Sequence, residues 1–279
     1  MAYVTSQSKM VIAYNNRVAP EYISSVVLSN IGSDAIANNL AIEDPTKLLA
    51  TTGTSGSNRV IDINFSAAWE FNCFGMANHN LVTQGYTGID IGYWNGSSYA
   101  SVGGVQSLSG VLGDPNFILR FPPTTATVAS SVYNWRIILS GSGTRPAFSI
   151  GMVTFGTYYE CEMNPEDGGV FVPTEIQMEE LPTLGGIKYD RPGPARVSES
   201  AEINFKRIPQ TMMNTLRGTI EQANRKKPIG IIWPEQVSYA MPNATQHFFG
   251  KISRMTPSPR SAMAPPHKYD LTIAMRGIL

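Results

Sequence analysis

The chain is poor in charge. Only 15% of its 279 residues are Asp, Glu, Lys or Arg, against about 25% in an average soluble domain. The 21 basic and 21 acidic side chains cancel, which removes any general attraction for nucleic acid or for an anionic membrane surface. Cysteine is scarce too. Cys73 and Cys161 stand 88 positions apart and form no CxxC pair, so a structural zinc site or a dithiol redox motif is excluded by spacing. Two buried free thiols are expected, because free cysteine behaves as a small hydrophobe; one long-range disulfide is the alternative. The three histidines, His79, His247 and His267, sit in no HExxH, HxH or Cys/His cluster, so a metal site would have to gather distant ligands. No apolar run approaches the ~20 residues of a helical membrane span. The first residues, MAYVTSQSKMVIAYNNR, lack a basic stretch followed by an apolar one. No signal peptide is read there, and synthesis in a cytoplasm is expected.

What is present is aromatic and unevenly charged. Twelve Tyr, 11 Phe and 4 Trp supply burial, which argues against intrinsic disorder. Residues 1–160 hold 7 basic and 9 acidic side chains, and residues 161–279 hold 14 and 12. The density doubles near Cys161, beside Pro165, Gly168 and Gly169, which suggests a domain boundary at 160–170. The stretch LPTLGGIKYDRPGPARVSES carries six breakers, Pro182, Gly185, Gly186, Pro192, Gly193 and Pro194; these argue against a regular element. The reading is therefore a first domain over 1–162, an extended arm over 163–200 and a second domain over 201–279.

The first domain reads as β-structure. In Arg59–Phe65, Ile61, Ile63 and Phe65 alternate with Asp62 and Asn64, the period of a half-buried strand. Apolar runs at Trp69–Met76, Gly88–Trp94, Asn116–Phe121, Tyr133–Leu139 and Phe148–Phe155 are each bounded by turn residues. Many short strands with turn signals indicate a sandwich or barrel. The second domain is mixed. Ile203 and Phe205 alternate with Glu202, Asn204 and Lys206, and the stretch Gln210–Asn224 places Met212, Met213, Leu216, Ile220 and Ala223 on one helical face. Pro209 precedes that helix, Arg225–Lys227 suit its carboxyl end and Pro228 stops it. Strands are expected at Ile229–Trp233, His247–Ile252 and Lys268–Met275.

Catalytic signals are missing. There is no GxSxG elbow. The GTSG at 53–56 and GSG at 141–143 lack the Lys and helix of a phosphate loop. Adjacent acids at Glu166–Asp167 and Glu179–Glu180 lie in or beside breaker-rich loops, where carboxylates are usually solvated. Arg225, Lys226 and Lys227 are explained by a helix terminus. Hence no catalytic residue, cofactor or metal is assigned. Candidate binding residues are polar and aromatic. Asn78, His79 and Asn80 form a polar turn in ANHNL, with His79 read as a loop tip or a satisfied structural histidine. Tyr93, Trp94 and Tyr99 flank NGSS in a second turn. Exposed aromatics beside Asn and Gly stack on sugars; burial in a sheet or subunit contact is the other reading.

The order of pieces in 40–160 resembles the galactose-binding-like (discoidin-like) jelly-roll sandwich, in the version found in bacteriophage tail and other virion proteins. The pieces are RVIDINF at 59–65, FGMANHNL at 74–81, IDIGYWNG at 89–96, FILRFPPTTATVASSVYNWRIIL at 117–139 and FSIGMVTFGTYYE at 148–160. The second domain resembles the tail-tube-like fold of ring-forming tail proteins, through INFKRI, TMMNTLRGTIEQA, PIGIIWPE, FFGKI and a final strand. The resemblance implies a mainly β protein: a jelly-roll, galactose-binding-like β-sandwich followed by an α+β tail-tube-like domain with one flanking helix. It further implies a structural component of a phage tail tip or baseplate, located in the virion. Its partners would be a homo-oligomeric ring of its own copies, the tail tube and the hub. The alternative implied function is a carbohydrate-binding module for host-surface attachment, with cell-surface glycan as partner and Asn78, His79, Asn80, Tyr93, Trp94 and Tyr99 as contacts.

Overall fold

A computed structural model describes residues 9–30, 39–40, 42, 47–54, 56–109, 115–121, 132–144, 146–165, 170–171, 174–176, 179–182, 188–191, 197–221, 227–233, 247–260 and 268–278. The strands in chain order are β1 (Val11–Tyr14), β2 (Ile23–Ser29), β3 (Leu49–Ala50), β4 (Arg59–Phe65), β5 (Cys73–His79), β6 (Tyr86–Trp94), β7 (Tyr99–Ser101), β8 (Gln106–Ser107), β9 (Phe117–Arg120), β10 (Asn134–Gly141) and β11 (Ser149–Glu160). They continue as β12 (Val170–Phe171), β13 (Thr174–Ile176), β14 (Glu179–Pro182), β15 (Lys188–Arg191), β16 (Val197–Pro209), β17 (Ile229–Ile232), β18 (His247–Arg260) and β19 (Lys268–Gly277). One short helix, α1 (Gln210–Asn214), is the α-helix among the described residues. The protein is mainly β, and its strands pair antiparallel, as β1 does with β11 and β16 with β19.

The chain forms two compact units. The first is Met1–Asn164 with Lys227–Phe249, and the second is Pro165–Lys226 with Gly250–Leu279. The stretch Lys227–Phe249, which charge density groups with the second domain, belongs to the first. The reason is strand pairing: β17 lies beside β1, with Ile12 opposite Ile231.

The first unit is a sandwich. One sheet runs β2–β4–β10–β6–β7, with β8 also on β6; the other includes β17–β1–β11–β5–β9, with β3 on β11. Alternation explains the two-layer core. In β10, Trp135, Ile137 and Leu139 are fully buried while Arg136 and Ile138 face outward. In β4, Ile61 and Ile63 do the same opposite them. Trp135 is the hub of this core. Its ring lies 5.2 Å from Phe155, 5.4 Å from Phe71 and 5.6 Å from Phe121. Each such aromatic pair adds roughly 0.5–1.5 kcal/mol beyond area burial.

The second unit has β16, β19 and the 250–260 part of β18 as neighbouring strands. Ile203, Phe205, Ile208, Leu271, Ile273 and Met275 are buried. The register slips between Phe205 and Ile208, where Arg207 takes a left-handed φ of +58° and its N–H donates to Asp270 Oδ1 at 3.0 Å. The helix continues past Asn214 as π-helical turns over Thr215–Glu221, and Met212, Met213, Leu216 and Ile220 are buried as its spacing predicts. Ala223, Arg225 and Lys226 lie outside the described residues, as do His267 and Glu166–Asp167. The stretch 163–200 carries strands and is not a plain extended arm. β14 pairs with β15, placing Glu180 opposite Asp190, and β13 pairs with β16. The breakers fall mainly between these strands, at 183–187 and 192–196, so local composition concealed the hairpin.

Candidate functional site

The six candidate residues do not form one site. β5 ends at His79, and the chain turns through 80–85 into β6, which ends at Trp94. Asn78–Asn80 therefore lie at one end of the sandwich and Trp94–Tyr99 at the other. Eight strand steps separate them, roughly 26 Å.

Asn78, His79 and Asn80 build the turn itself. Asn78 adopts a left-handed φ of +53°, tolerated best by Asn and Gly, and its N–H donates to Asn116 Oδ1 at 3.0 Å. His79 is 6% exposed, so it is no loop tip. Its Nδ1 accepts the Leu81 N–H at 3.3 Å and its ring meets Phe117 edge-on at 5.2 Å. Asn80 Oδ1 accepts the Ser149 N–H at 2.8 Å, and its own N–H donates to Ser149 O at 3.2 Å. These polar groups are spent on backbone, which is what a tight strand-to-strand turn requires.

Tyr93 also leaves the candidate surface. It faces inward on β6, with its ring 5.8 Å from Trp135, and packs against the core. Trp94 and Tyr99 remain. The hairpin between β6 and β7 sets them opposite each other. Asn95 shapes it: its Oδ1 accepts the N–H groups of Ser97 at 3.0 Å and Ser98 at 2.9 Å, while Gly96 takes a φ of +100°. Trp94 is 39% exposed, and its ring stands 5.2 Å from Tyr99 at 64°.

Two residues that the sequence reading did not single out complete this surface. The Arg136 guanidinium stacks on Tyr99, 3.6 Å from the ring centroid. Asp62, on the neighbouring strand, grips Arg136 with both oxygens: Nε donates to Oδ1 at 2.6 Å and Nη2 to Oδ2 at 2.8 Å. The Asp62 hydrogen bond holds the Arg136 pKa above its ordinary value against the effect of burial. Burial first, then the Asp62 charge, pushes the Tyr99 phenol above its ordinary range. The next row of the outward face carries Ser25, Asn64 and Asn134, paired across β2, β4 and β10, with Asn64 Nδ2 donating to Ser25 Oγ at 2.8 Å. The signal for Arg136 was present: Arg136 faces away from Trp135 in a strand whose partner carries Asp62 at the matching outward position.

A second cluster sits at the same end of the sandwich. The Arg17 guanidinium lies 4.1 Å from the Trp69 ring centroid and 4.6 Å from that of Tyr22. Lys227 Nζ lies 4.3 Å from the Tyr22 centroid and donates to Glu21 Oε1 at 2.8 Å. That hydrogen bond holds the Glu21 carboxyl below its ordinary range.

Among the described residues, no group of three or more His, Cys, Asp or Glu side chains could hold a metal ion. The better-placed carboxylates are engaged: Asp62 with Arg136, Asp90 with the Ser101 hydroxyl at 2.5 Å, and Glu160 with Arg120 at 3.0 Å. Both cysteines are free and buried.

No protein family and no curated protein sequence matches the chain. Solved structures do. A pectin-binding carbohydrate-binding module is 15% identical with a TM-score of 0.35, covering 48% of this chain and 89% of its own. The lectin domain of lectinolysin, complexed with Lewis B antigen, is 10% identical with a TM-score of 0.39, covering 51% and 96%. A module from Clostridium perfringens, in complex with GalNAc-β-1,3-galactose, is 10% identical with a TM-score of 0.35, covering 47% and 94%. Likeness at this level carries no inference about ligand or activity.

Proposed function

We propose that the first unit is a glycan-binding module without catalytic activity, and that it binds through the Trp94–Tyr99 hairpin and the adjoining outward face of β10 and β4. The observation that carries this reading is the half-open indole of Trp94, set beside a tyrosine that a clamped guanidinium holds in place. Sugars present an apolar face and a rim of hydroxyls. Aromatic rings take the first, and neutral hydrogen-bonding groups such as Asn64 and Asn134 take the second. Preorganisation favours binding, because Tyr99 loses little freedom on contact. Tests are glycan-array screening followed by calorimetry on the best hit. Trp94→Ala is expected to weaken binding by about 2 kcal/mol, roughly thirtyfold in Kd. An array without signal, or a hit that Trp94→Ala leaves unchanged, overturns the reading.

A second reading is favoured by one observation, the 16 charged side chains in residues 1–160. Surfaces that pack against other subunits are depleted of charge at their core. Under this reading the chain is a structural component of a phage tail tip, assembled as a ring between tail tube and hub. Mass spectrometry of purified particles from the source host decides it: the chain is present at stoichiometric level or the reading falls.

A further inference from the structure

We propose that the free edge of β2 is a self-association surface, on which a second copy of this chain adds its own β2 antiparallel across a two-fold axis. The proposal is independent of what the Trp94–Tyr99 surface binds. Among the described residues β2 is the end strand of its sheet and pairs with β4 alone. Ile23 donates its N–H to Ala19 O at 3.2 Å. From Ser24 onward the edge facing away from β4 meets no strand among the described residues.

Other edges of the unit are short or blocked. β7 and β8, at the far side of the same sheet, span three and two residues. β9 is capped from the side, because the Ile118 N–H donates to the buried Nδ1 of His247 at 2.9 Å. β2 is seven residues long, ISSVVLS. Natural edges are protected by lysine, proline, inward charges or bulges. β2 has no proline, and no charged residue occurs from Tyr22 through Ser33. Its one irregularity is a register shift between Ile23 and Ser25. That leaves Ser25–Ser29 as a regular, uncharged run with no strand on its outer edge among the described residues.

That run is self-complementary. A two-fold axis at Val27 sets Val27 against the partner's Val27 and Ser25 against the partner's Ser29 on the outward face. On the core face it sets Val26 against the partner's Leu28. Hydroxyl meets hydroxyl and aliphatic meets aliphatic, with no charge brought near another. Val27, 47% exposed in the single chain, loses water contact. The unpaired backbone groups gain partners, and two six-stranded sheets become one continuous sheet. A two-fold contact is isologous and closes on itself, so it gives a dimer and stops.

Val27 is also the residue to test, because its side chain leaves the core untouched. Val27→Lys places like charges directly opposite across the axis, and so does Val27→Glu; such pairs are destabilising. Analytical ultracentrifugation of the full chain is expected to show a dimer. Each variant is expected to sediment as a monomer with an unchanged circular dichroism spectrum. An equimolar mixture of the two is expected to recover the dimer. A monomeric wild type at all accessible concentrations overturns the proposal. So does an oligomer that Val27→Lys leaves intact, or a mixture that stays monomeric.

Discussion

Arg136 and Asp62 face each other across β10 and β4 and are joined by two parallel hydrogen bonds, of 2.6 and 2.8 Å. The pair is mostly shielded, with side-chain exposures of 28% and 12%. A forked guanidinium satisfies both carboxylate oxygens at once, which an ammonium cannot do. Arg136→Lys is therefore expected to lose the fork and the flat stack on Tyr99, costing about 1–2 kcal/mol. Asp62→Ala is expected to cost more, about 2–3 kcal/mol, since it leaves a half-buried cation without its counter-charge. Urea unfolding of both variants and of the double variant gives the coupling. A coupling energy near zero would show that the contact contributes nothing to the fold.

The Glu21–Lys227 pair predicts a small acid dependence. Glu21 has its carboxyl lowered from 4.5, first by the Lys227 hydrogen bond. A carboxyl lowered in the folded state adds stability that is present above its unfolded value and fades as pH falls through its folded value. Glu21 is 52% exposed, so solvent screens the effect to about 0.2–1 kcal/mol. Lys227→Met is expected to flatten the urea midpoint between pH ~5 and pH ~3 relative to the parent. A parallel pair of curves over that window would contradict it.

How much of this was legible beforehand depends on how local each feature is. β4, β10 and β16 announce themselves, because Ile61/Ile63, Trp135/Ile137/Leu139 and Ile203/Phe205 alternate with polar residues within one strand. The helix face Met212, Met213, Leu216 and Ile220 was equally plain. β1 is four residues long, and β2 opens with two successive serines, Ser24 and Ser25, which break the apolar alternation, so neither stood out. The galactose-binding-like resemblance pointed to a sandwich, which the first unit is. The candidate site was only partly visible. Trp94 and Tyr99 are hairpin neighbours and could be paired by eye. Asn78–Asn80 looked alike in chemistry, yet strand direction puts them at the opposite end. The Arg17–Trp69–Lys227 cluster joins positions 52 and 158 apart along the chain, and no local pattern encodes such a meeting. It exists because β17 docks beside β1.

The thiols make a labelling prediction. Cys73 and Cys161 are 2% and 0% exposed. Burial pushes the Cys73 thiol up to about 12 and raises Cys161 as well, helped by the neighbouring Glu160 and Glu162 charges. Thiolate is the reactive form, so both are expected to be inert at pH ~8 in the folded protein. A chromogenic disulfide reagent should titrate no thiol in native buffer and two per chain in denaturant. A fast native thiol would mean that β5 or the end of β11 opens readily. Fewer than two in denaturant, recovered by reductant, would mean that a disulfide forms instead.

Gly156 is where β11 and the start of the chain come too close for any side chain. A Cβ built there would overlap the carbonyl oxygen of Tyr14, a backbone atom that cannot rotate away, and would also crowd Asn15 O at 3.3 Å. Gly156 sits opposite Cys73 on β5, and the Asn72 N–H donates to Gly156 O at 3.0 Å. The strand is thus held from one side and approached from the other. Gly156→Ala must therefore push β1 off β11. Glycine normally weakens a strand, so alanine at an open site would be neutral or favourable. Here overpacking reverses the sign, with an expected loss of about 1–3 kcal/mol. The control is Gly218→Ala, since nothing beyond the helix's own backbone lies within 4 Å of the Cβ position there and φ is ordinary. That substitution is expected to be neutral or to add up to about 1 kcal/mol of stability, because alanine suits a helical backbone better than glycine does. Thermal unfolding of the two variants side by side separates the steric cost at Gly156 from any general effect of adding a methyl group. Equal midpoints would rule out the close β1–β11 approach.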